Sequence, residues 1–319
     1  VVVGSVRQVV RRLVESVGTV IVGKDAEVEQ CVIALLCRGH VLIEDVPGVG
    51  KTMLAKALAR SLGCLFERVQ FTPDLLPGDI TGVNVFNPKT TTFEFRRGPV
   101  FAQVLLADEI NRATPKTQSS LLEAMEEGQV TVDGVSHRLP EPFIVLATQN
   151  PIELGGTFPL PEAQVDRFLV KVSIGYLSLE EEVGMLDRFQ MASPLEALTP
   201  VASTEEILAC QAAISTVHCD SRLKEYTVRM VQRTRVHPDV ALGASPRGSL
   251  GLLRAAQARA AAAGRDYVLP DDIKELAPSV LSHRIIVRPN AELRGLTAAS
   301  VLAEVLDTES VPLADRRFA

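Results

Sequence analysis

Apolar residues recur along this chain with two periods, and the change from one to the other divides it. Val6, Val9, Val10, Leu13, Val14 and Val17 fall on one face of a helix, with Arg7, Gln8, Arg11, Arg12 and Glu15 opposite. The arginine pair reads as part of a solvated helix face. A second helix is expected over 26–36. Val41-Leu42-Ile43 is then a short unbroken apolar run, the pattern of a buried parallel strand. Similar runs at 66–71, 104–109, 143–148 and 168–172 predict four more strands, and so a five-stranded parallel sheet. Two segments alternate with period two about a turn. Val83 and Val85 face Phe93 and Phe95 across Asn87-Pro88-Lys89-Thr90. Val130 and Val132 face Val135, His137 and Leu139 across Asp133-Gly134, a pair suited to a type I′ turn. Both read as β-hairpins inserted between the sheet strands, with His137 a surface residue.

Beyond a transitional stretch at 177–200, strand patterns almost vanish. Ser203-Thr204-Glu205-Glu206 is a capping box. Further helices are expected over 220–234, from Ser245-Pro246 through an alanine-rich stretch to Gly264, and from Leu269-Pro270 onward. The pattern therefore predicts an α/β core over 1–192 followed by an α-helical domain over 193–319.

Composition narrows the picture. With 319 residues, 46% hydrophobic and 23% charged, the chain can bury two ordinary cores. Its net charge of -6 gives no basic field for nucleic acid or an anionic membrane. No apolar run approaches the length of a membrane span. The opening VVVGSVRQVV lacks the long apolar core of a signal peptide. It also lacks an initiator Met, which leaves room for residues upstream. Cys31, Cys37, Cys64, Cys210 and Cys219 have no zinc or redox spacing and read as buried free thiols in a reducing cytoplasm.

The candidate chemistry gathers at strand ends. After the first strand come Asp45, Val46, Pro47, Gly48, Val49 and Gly50, then Lys51, Thr52 and Met53 open a helix. Strand, glycine loop and helix in this order form a phosphate loop. Consecutive backbone N–H groups wrap phosphates, Lys51 reaches the β/γ oxygens and the Thr52 hydroxyl takes Mg²⁺. Asp45 departs from G-x-x-x-x-G-K-[ST], which has glycine there. The third strand ends in Asp108-Glu109, which suits Mg²⁺ support by Asp108 and water activation by Glu109. Asn150 follows the fourth strand and can touch a γ-phosphate or orient the water, or cap a turn before Pro151. Arg167 precedes the fifth strand, outside its own phosphate loop. It is placed either to reach a neighbouring subunit's nucleotide or to pair with Asp166 or Glu162. Arg247, in the first turn of a helix, is either a second clamp on the phosphates or an ordinary solvated arginine. Val22-Gly23 form a loop where an adenine could be contacted.

This order of parts resembles the AAA+ ATPases, with the two hairpins similar to the helix-2 and pre-sensor-1 insertions of that superfamily. The segments EDVPGVGKT, QFTPDLLPGDITG, FRRGPVF, ADEINRATPKTQSSLLEAMEE, LATQNPIELGGTFPLPEAQVDRF and GASPRG are similar to the MoxR family, from about Val20 to Leu306. The resemblance implies an AAA+ P-loop fold with a helical lid. It also implies ATP hydrolysis with Mg²⁺, a hexameric ring, and a partner carrying a von Willebrand factor A domain. The activity implied is chaperone-like maturation or activation of client protein complexes, sometimes with metal or cofactor insertion. Lys51 and Thr52 match Walker A, Asp108 and Glu109 Walker B, Asn150 sensor 1, Arg167 the arginine finger and Arg247 sensor 2. Arg112, in DEINR, matches a position that lines the subunit interface. Competing readings are a metal-chelatase motor subunit, a DNA-translocating motor, which the Asp133-Gly134 tip and the acidic charge disfavour, and a non-enzymatic nucleotide-gated scaffold.

Overall fold

The apolar run at Val41 becomes the centre of a parallel sheet. In a computed structural model describing residues 3–150, 156–191 and 193–311, strands follow in chain order. They are β1 (Val41–Glu44), β2 (Phe66–Gln70), β3 (Gly82–Asn87), β4 (Thr92–Arg97), β5 (Val104–Asp108), β6 (Gln129–Val132), β7 (Val135–Arg138), β8 (Ile144–Gln149) and β9 (Val170–Val172). The five sheet strands lie in the order β2-β5-β8-β1-β9, all parallel. The inner strands read as continuous apolar runs because both faces are covered: Leu42, Ile43, Leu105, Leu106, Val145 and Leu146 are fully buried. Burying each such side chain contributes ~1.5–3 kcal/mol. On edge strand β2 only Val69 is buried. The chain leaves β1 for that edge and returns through β5 and β8, so a switch in strand order falls beside β1. The carboxyl ends of β1, β8 and β5 thus lie side by side, where open α/β sheets form their crevice.

At the opposite, amino end of β1, His40 is buried and fully bonded. Its Nε2 donates to Met125 O at 3.1 Å, and its Nδ1 accepts from Val145 N at 3.0 Å. Burial pushes its pKa down to about 4, partly opposed by the Met125 bond. The imidazole is therefore neutral in the fold but takes a proton in the unfolded chain below about 6.5. Its contribution is complete above that pH and is lost as pH falls toward 4, by at most about 3 kcal/mol. The thermal midpoint is expected to fall between pH 7 and pH 4.5, and to fall less steeply in His40→Gln. Equal slopes would remove His40 as the source.

Both hairpins form. β3 pairs with β4 from Gly82↔Arg97 to Asn87↔Thr92, and β6 with β7 from Gln129↔Arg138 to Val132↔Val135. Asp133 and Gly134 have φ of 48° and 81°, as a type I′ turn requires. The hairpins touch. Asn84 Nδ2 donates to Asp133 Oδ2 at 2.7 Å, and the Phe95 ring stacks on His137 at 4.1 Å. His137, expected at the surface, is half-buried against that ring.

Packing divides the chain into residues 8–209, which hold the sheet, and residues 210–311 with 3–7. Position 192 was the expected division. Residues 193–209 instead keep with the sheet: Leu195 is buried, and Val201 N donates to Ser61 O at 2.8 Å. Part of the stretch read as transitional is a helix, Leu179–Met191. Its apolar residues Leu179, Val183 and Leu186 recur at helical spacing, and the face they form is exposed. The capping box closes as expected, Ser203 N to Glu206 Oε2 at 2.9 Å and Glu206 N to Ser203 Oγ at 3.2 Å.

The second unit is helical: Ser221–Val236, Pro246–Ala262, Pro270–Leu281 and Ala298–Thr308 are its longer elements. Alanines 255, 256, 258, 260 and 261 are buried, which lets these helices approach closely. A short antiparallel pair, β10 (Val240–Leu242) and β11 (Ile286–Val287), was not anticipated. All five cysteines are free, with Cys31, Cys210 and Cys219 buried but Cys37 and Cys64 only half-buried. Among the described residues no helix is long and apolar enough to cross a membrane.

Candidate functional site

The loop after β1 is built to leave donors open. Gly48 and Gly50 have φ of 88° and 92°, a conformation that disfavours side chains, and nothing stands within 4 Å of where their Cβ atoms would be. The helix Lys51–Leu62 begins at Gly50 with no side-chain cap and no acid in its first turn. Its first N–H groups and the positive end of its dipole are thus offered to an anion. Lys51 Nζ donates to Asp45 O at 2.8 Å and Val46 O at 3.2 Å, folded onto the loop itself. Burial lowers its pKa, while the charges of Asp45, Asp108 and Glu109 act the other way. Through β8 the register sets Ala107 level with Ala147 and Leu42, so Asp108 and Glu109 leave the sheet at the same edge as the phosphate loop.

Asp45, where the general phosphate-loop pattern has glycine, directs one carboxylate oxygen out of the loop. Oδ2 accepts from Gly175 N at 2.7 Å and Ser173 Oγ at 3.2 Å, and Oδ1 accepts from Val46 N at 2.9 Å. It ties the loop's first residue to the segment leaving β9. The Val22-Gly23 loop lies against that same outgoing segment. Lys24 Nζ donates to Tyr176 O at 3.1 Å, and a Cβ on Gly23 would collide with the Glu181 side chain.

Asp108 ends β5, and Glu109 leaves the strand in the left-handed region, φ 56° and ψ 50°. A network that the motifs did not reveal surrounds them. Thr148, buried in β8, donates from Oγ1 to Asp108 Oδ1 at 2.6 Å and accepts from Glu109 N at 2.8 Å. Arg68 grips Asp108 Oδ2 through Nε and Nη2, at 3.1 and 2.7 Å. Gln70, opposite Asp108 in the β2–β5 register, donates to Glu109 Oε2 at 2.8 Å. Arg112 Nε lies 3.0 Å from the same oxygen. Sequence reasoning missed Thr148, Arg68 and Gln70. The one available signal was Thr148 itself, since a hydroxyl inside a buried strand must find a partner.

Asn150 leaves β8 next to the phosphate loop: Glu44 pairs with Gln149, and Asp45 N donates to Gln149 O at 3.4 Å. Residues 151–155 of the same motif lie outside the described residues. Arg167 lies elsewhere. It precedes β9, whose first residue pairs with Val41, so it is at the amino edge of the sheet. Its Nη2 is 3.1 Å from Glu126 Oε2, an ion pair different from the two weighed from sequence. Arg247 belongs to the helical unit, in the first turn of Pro246–Ala262, where its N–H donates to the Ser245 cap at 3.1 Å.

Thr52 and Asp108 supply only oxygen donors, hard ligands suited to Mg²⁺. Among the described residues no group of three His, Cys, Asp or Glu side chains could hold a metal unaided. Substrate oxygens and water would therefore have to fill most of the shell, as is usual for Mg²⁺ beside phosphates.

Comparison with known proteins agrees with this geometry. A model of the ATPase family associated with various cellular activities (AAA) matches residues 40–170, and an AAA lid domain model matches 232–305. The chain is similar to the uncharacterized protein YeaC of Bacillus subtilis, at 52% identity over 95% of this chain and 94% of the relative. It is 44% identical to Chaperone MoxR1 of Mycobacterium tuberculosis, over 94% of this chain and 82% of that protein. The crystal structure of an ATPase candidate from Cytophaga hutchinsonii superposes with a TM-score of 0.90 at 38% identity, covering 97% of this chain and 96% of that one.

Proposed function

The chain belongs to the MoxR family of AAA+ ATPases, and from that premise we propose that it hydrolyses ATP with Mg²⁺ to drive maturation or activation of client protein complexes. The observation that carries the hydrolytic part is an uncapped glycine loop leaving the same sheet edge as Asp108 and Glu109. The backbone N–H groups from Gly48 to Met53 cradle the phosphates, and Lys51 leaves its loop carbonyls for the β/γ oxygens. Thr52 and Asp108 would hold Mg²⁺, which would supply charge neutralisation to the phosphates. Glu109 takes the proton of the attacking water and Asn150 orients that water. Val22 and Gly23 face the adenine. Arg167 acts on the nucleotide of the next subunit in a ring, a hexamer in this reading, and Arg247 clamps the phosphates from the helical lid.

The chaperone-like role draws on the name of the MoxR1 relative. The partner in this reading carries a von Willebrand factor A domain, and metal or cofactor insertion into the client belongs to the same proposal. Five free thiols and no disulfide fit a reducing cytoplasm.

The purified protein is expected to release phosphate from ATP, and to stop when a chelator removes divalent cations. Phosphate release no faster than in Lys51→Ala, by protein that still binds ATP, would favour the scaffold reading and sink this one.

A further inference from the structure

Resting on the ATPase reading above, we propose that Thr148 is a positioning residue: one hydroxyl sets the geometry of both acids at the end of β5. A threonine hydroxyl has one proton and two lone pairs. Glu109 N can only donate, so Thr148 Oγ1 accepts from it, at 2.8 Å, and its own proton goes to Asp108 Oδ1, at 2.6 Å. The second length is that of a charge-assisted O–H···O⁻ bond. Thr148 is 1% exposed, so water does not compete for either contact.

The backbone bond explains how Glu109 is held. Along a strand successive side chains point to opposite faces, so a straight continuation of β5 would separate the two carboxylates. At φ 56° the chain turns instead, which resets the direction in which the Glu109 side chain leaves the strand. A non-glycine residue in that region costs about 1–3 kcal/mol and persists only where its surroundings hold it. Two bonds do so here: the Glu109 amide on Thr148, and Arg112 N on Glu109 O at 2.9 Å. Without the hydroxyl the amide loses its partner, and Asp108 keeps the Arg68 contacts on Oδ2 but loses its restraint on Oδ1. Thr148 touches neither water nor phosphate in this reading and acts through the two acids.

Valine replaces threonine with nearly the same shape and no hydroxyl; serine keeps the hydroxyl and drops the methyl. Turnover, KM for ATP and affinity for a non-hydrolysable ATP analogue are measured for the parent, Thr148→Val, Thr148→Ser and Glu109→Gln. Thr148→Val is expected to lower kcat by about 10–100-fold, as the loss of an outer partner of a catalytic group does, with analogue affinity unchanged. Thr148→Ser is expected to recover most of the turnover. If the valine variant does not fold, Thr148→Ala removes the same hydroxyl and takes its place. Parental kcat in Thr148→Val, with Glu109→Gln inactive, overturns the proposal. Equal losses in the valine and serine variants, with analogue affinity falling alongside, assign Thr148 to packing and overturn it too. Full turnover in Glu109→Gln defeats the hydrolytic reading itself and Thr148's role with it, a failure recognisable because it appears in that variant.

Discussion

Alanine at Arg167 is expected to reduce ATP turnover by about 10³–10⁵-fold, the range in which an arginine finger acts. Mixing that variant with Lys51→Ala should return activity that neither has alone. The argument is one of position. Arg167 precedes β9, and β9 begins beside Val41, whereas the phosphate loop leaves the other end of β1. Four residues at ~3.3 Å each place the two on the order of 13 Å apart along the strand, before the loop itself is counted. Arg167 is thus poorly placed for its own nucleotide and well placed for one outside the subunit. Its ion pair with Glu126 does not argue against this. Both side chains are partly exposed, at 29% and 38%. Pairs of this kind contribute about 0–1 kcal/mol. A γ-phosphate offers paired, charge-assisted bonds and more negative charge than one carboxylate, so Arg167 can leave Glu126 for it. In a mixed ring an intact phosphate loop from Arg167→Ala sits beside an intact arginine from Lys51→Ala, and only such interfaces turn over. No recovery in a mixture that still assembles would count against action between subunits. Full turnover by Arg167→Ala alone would remove it from the chemistry altogether.

What the sequence made legible was local. The apolar run at Val41, the glycines of the loop, Asp108 at a strand end and the Asp133-Gly134 turn each declare themselves within a few residues, because backbone conformation there is decided by near neighbours. The partners of the two acids were not legible. Gln70 meets Glu109 and Arg68 meets Asp108 only because β2 pairs with β5, and Thr148 reaches both acids because β8 is the strand on the other side. Strand order brings these residues together across 39 or 40 positions of chain, which no periodicity records. Asp45 shows the same limit. Its place in the motif was readable, but its carboxylate is committed to Ser173 and Gly175 some 130 residues on. The helix Leu179–Met191 was legible but missed: Leu179, Val183 and Leu186 recur at helical spacing, although the face they form stays exposed.

Glutamine at Glu109 is expected to lower turnover by about 10²–10⁴-fold, the usual contribution of a positioned general base, while ATP stays bound. The side chain keeps its size and an oxygen to accept from Gln70 and Arg112, but loses the charge that takes a proton from water. Binding should survive because the phosphates are held elsewhere, by the loop's N–H groups and Lys51, and neither depends on that carboxylate. Lys51→Ala is the contrast: it removes the cation from the phosphates, so binding and turnover should fall together. The two variants therefore separate occupancy from hydrolysis, and the separation can be used. In the proposed ring, subunits that fill with ATP and cannot empty would stay in the partner-binding state. Captured on an affinity support with ATP and Mg²⁺, Glu109→Gln should retain a von Willebrand factor A domain protein or its client, and Lys51→Ala should not. Equal capture by both would mean that partner binding ignores the nucleotide. The chaperone-like cycle would then lose its coupling even if hydrolysis stood.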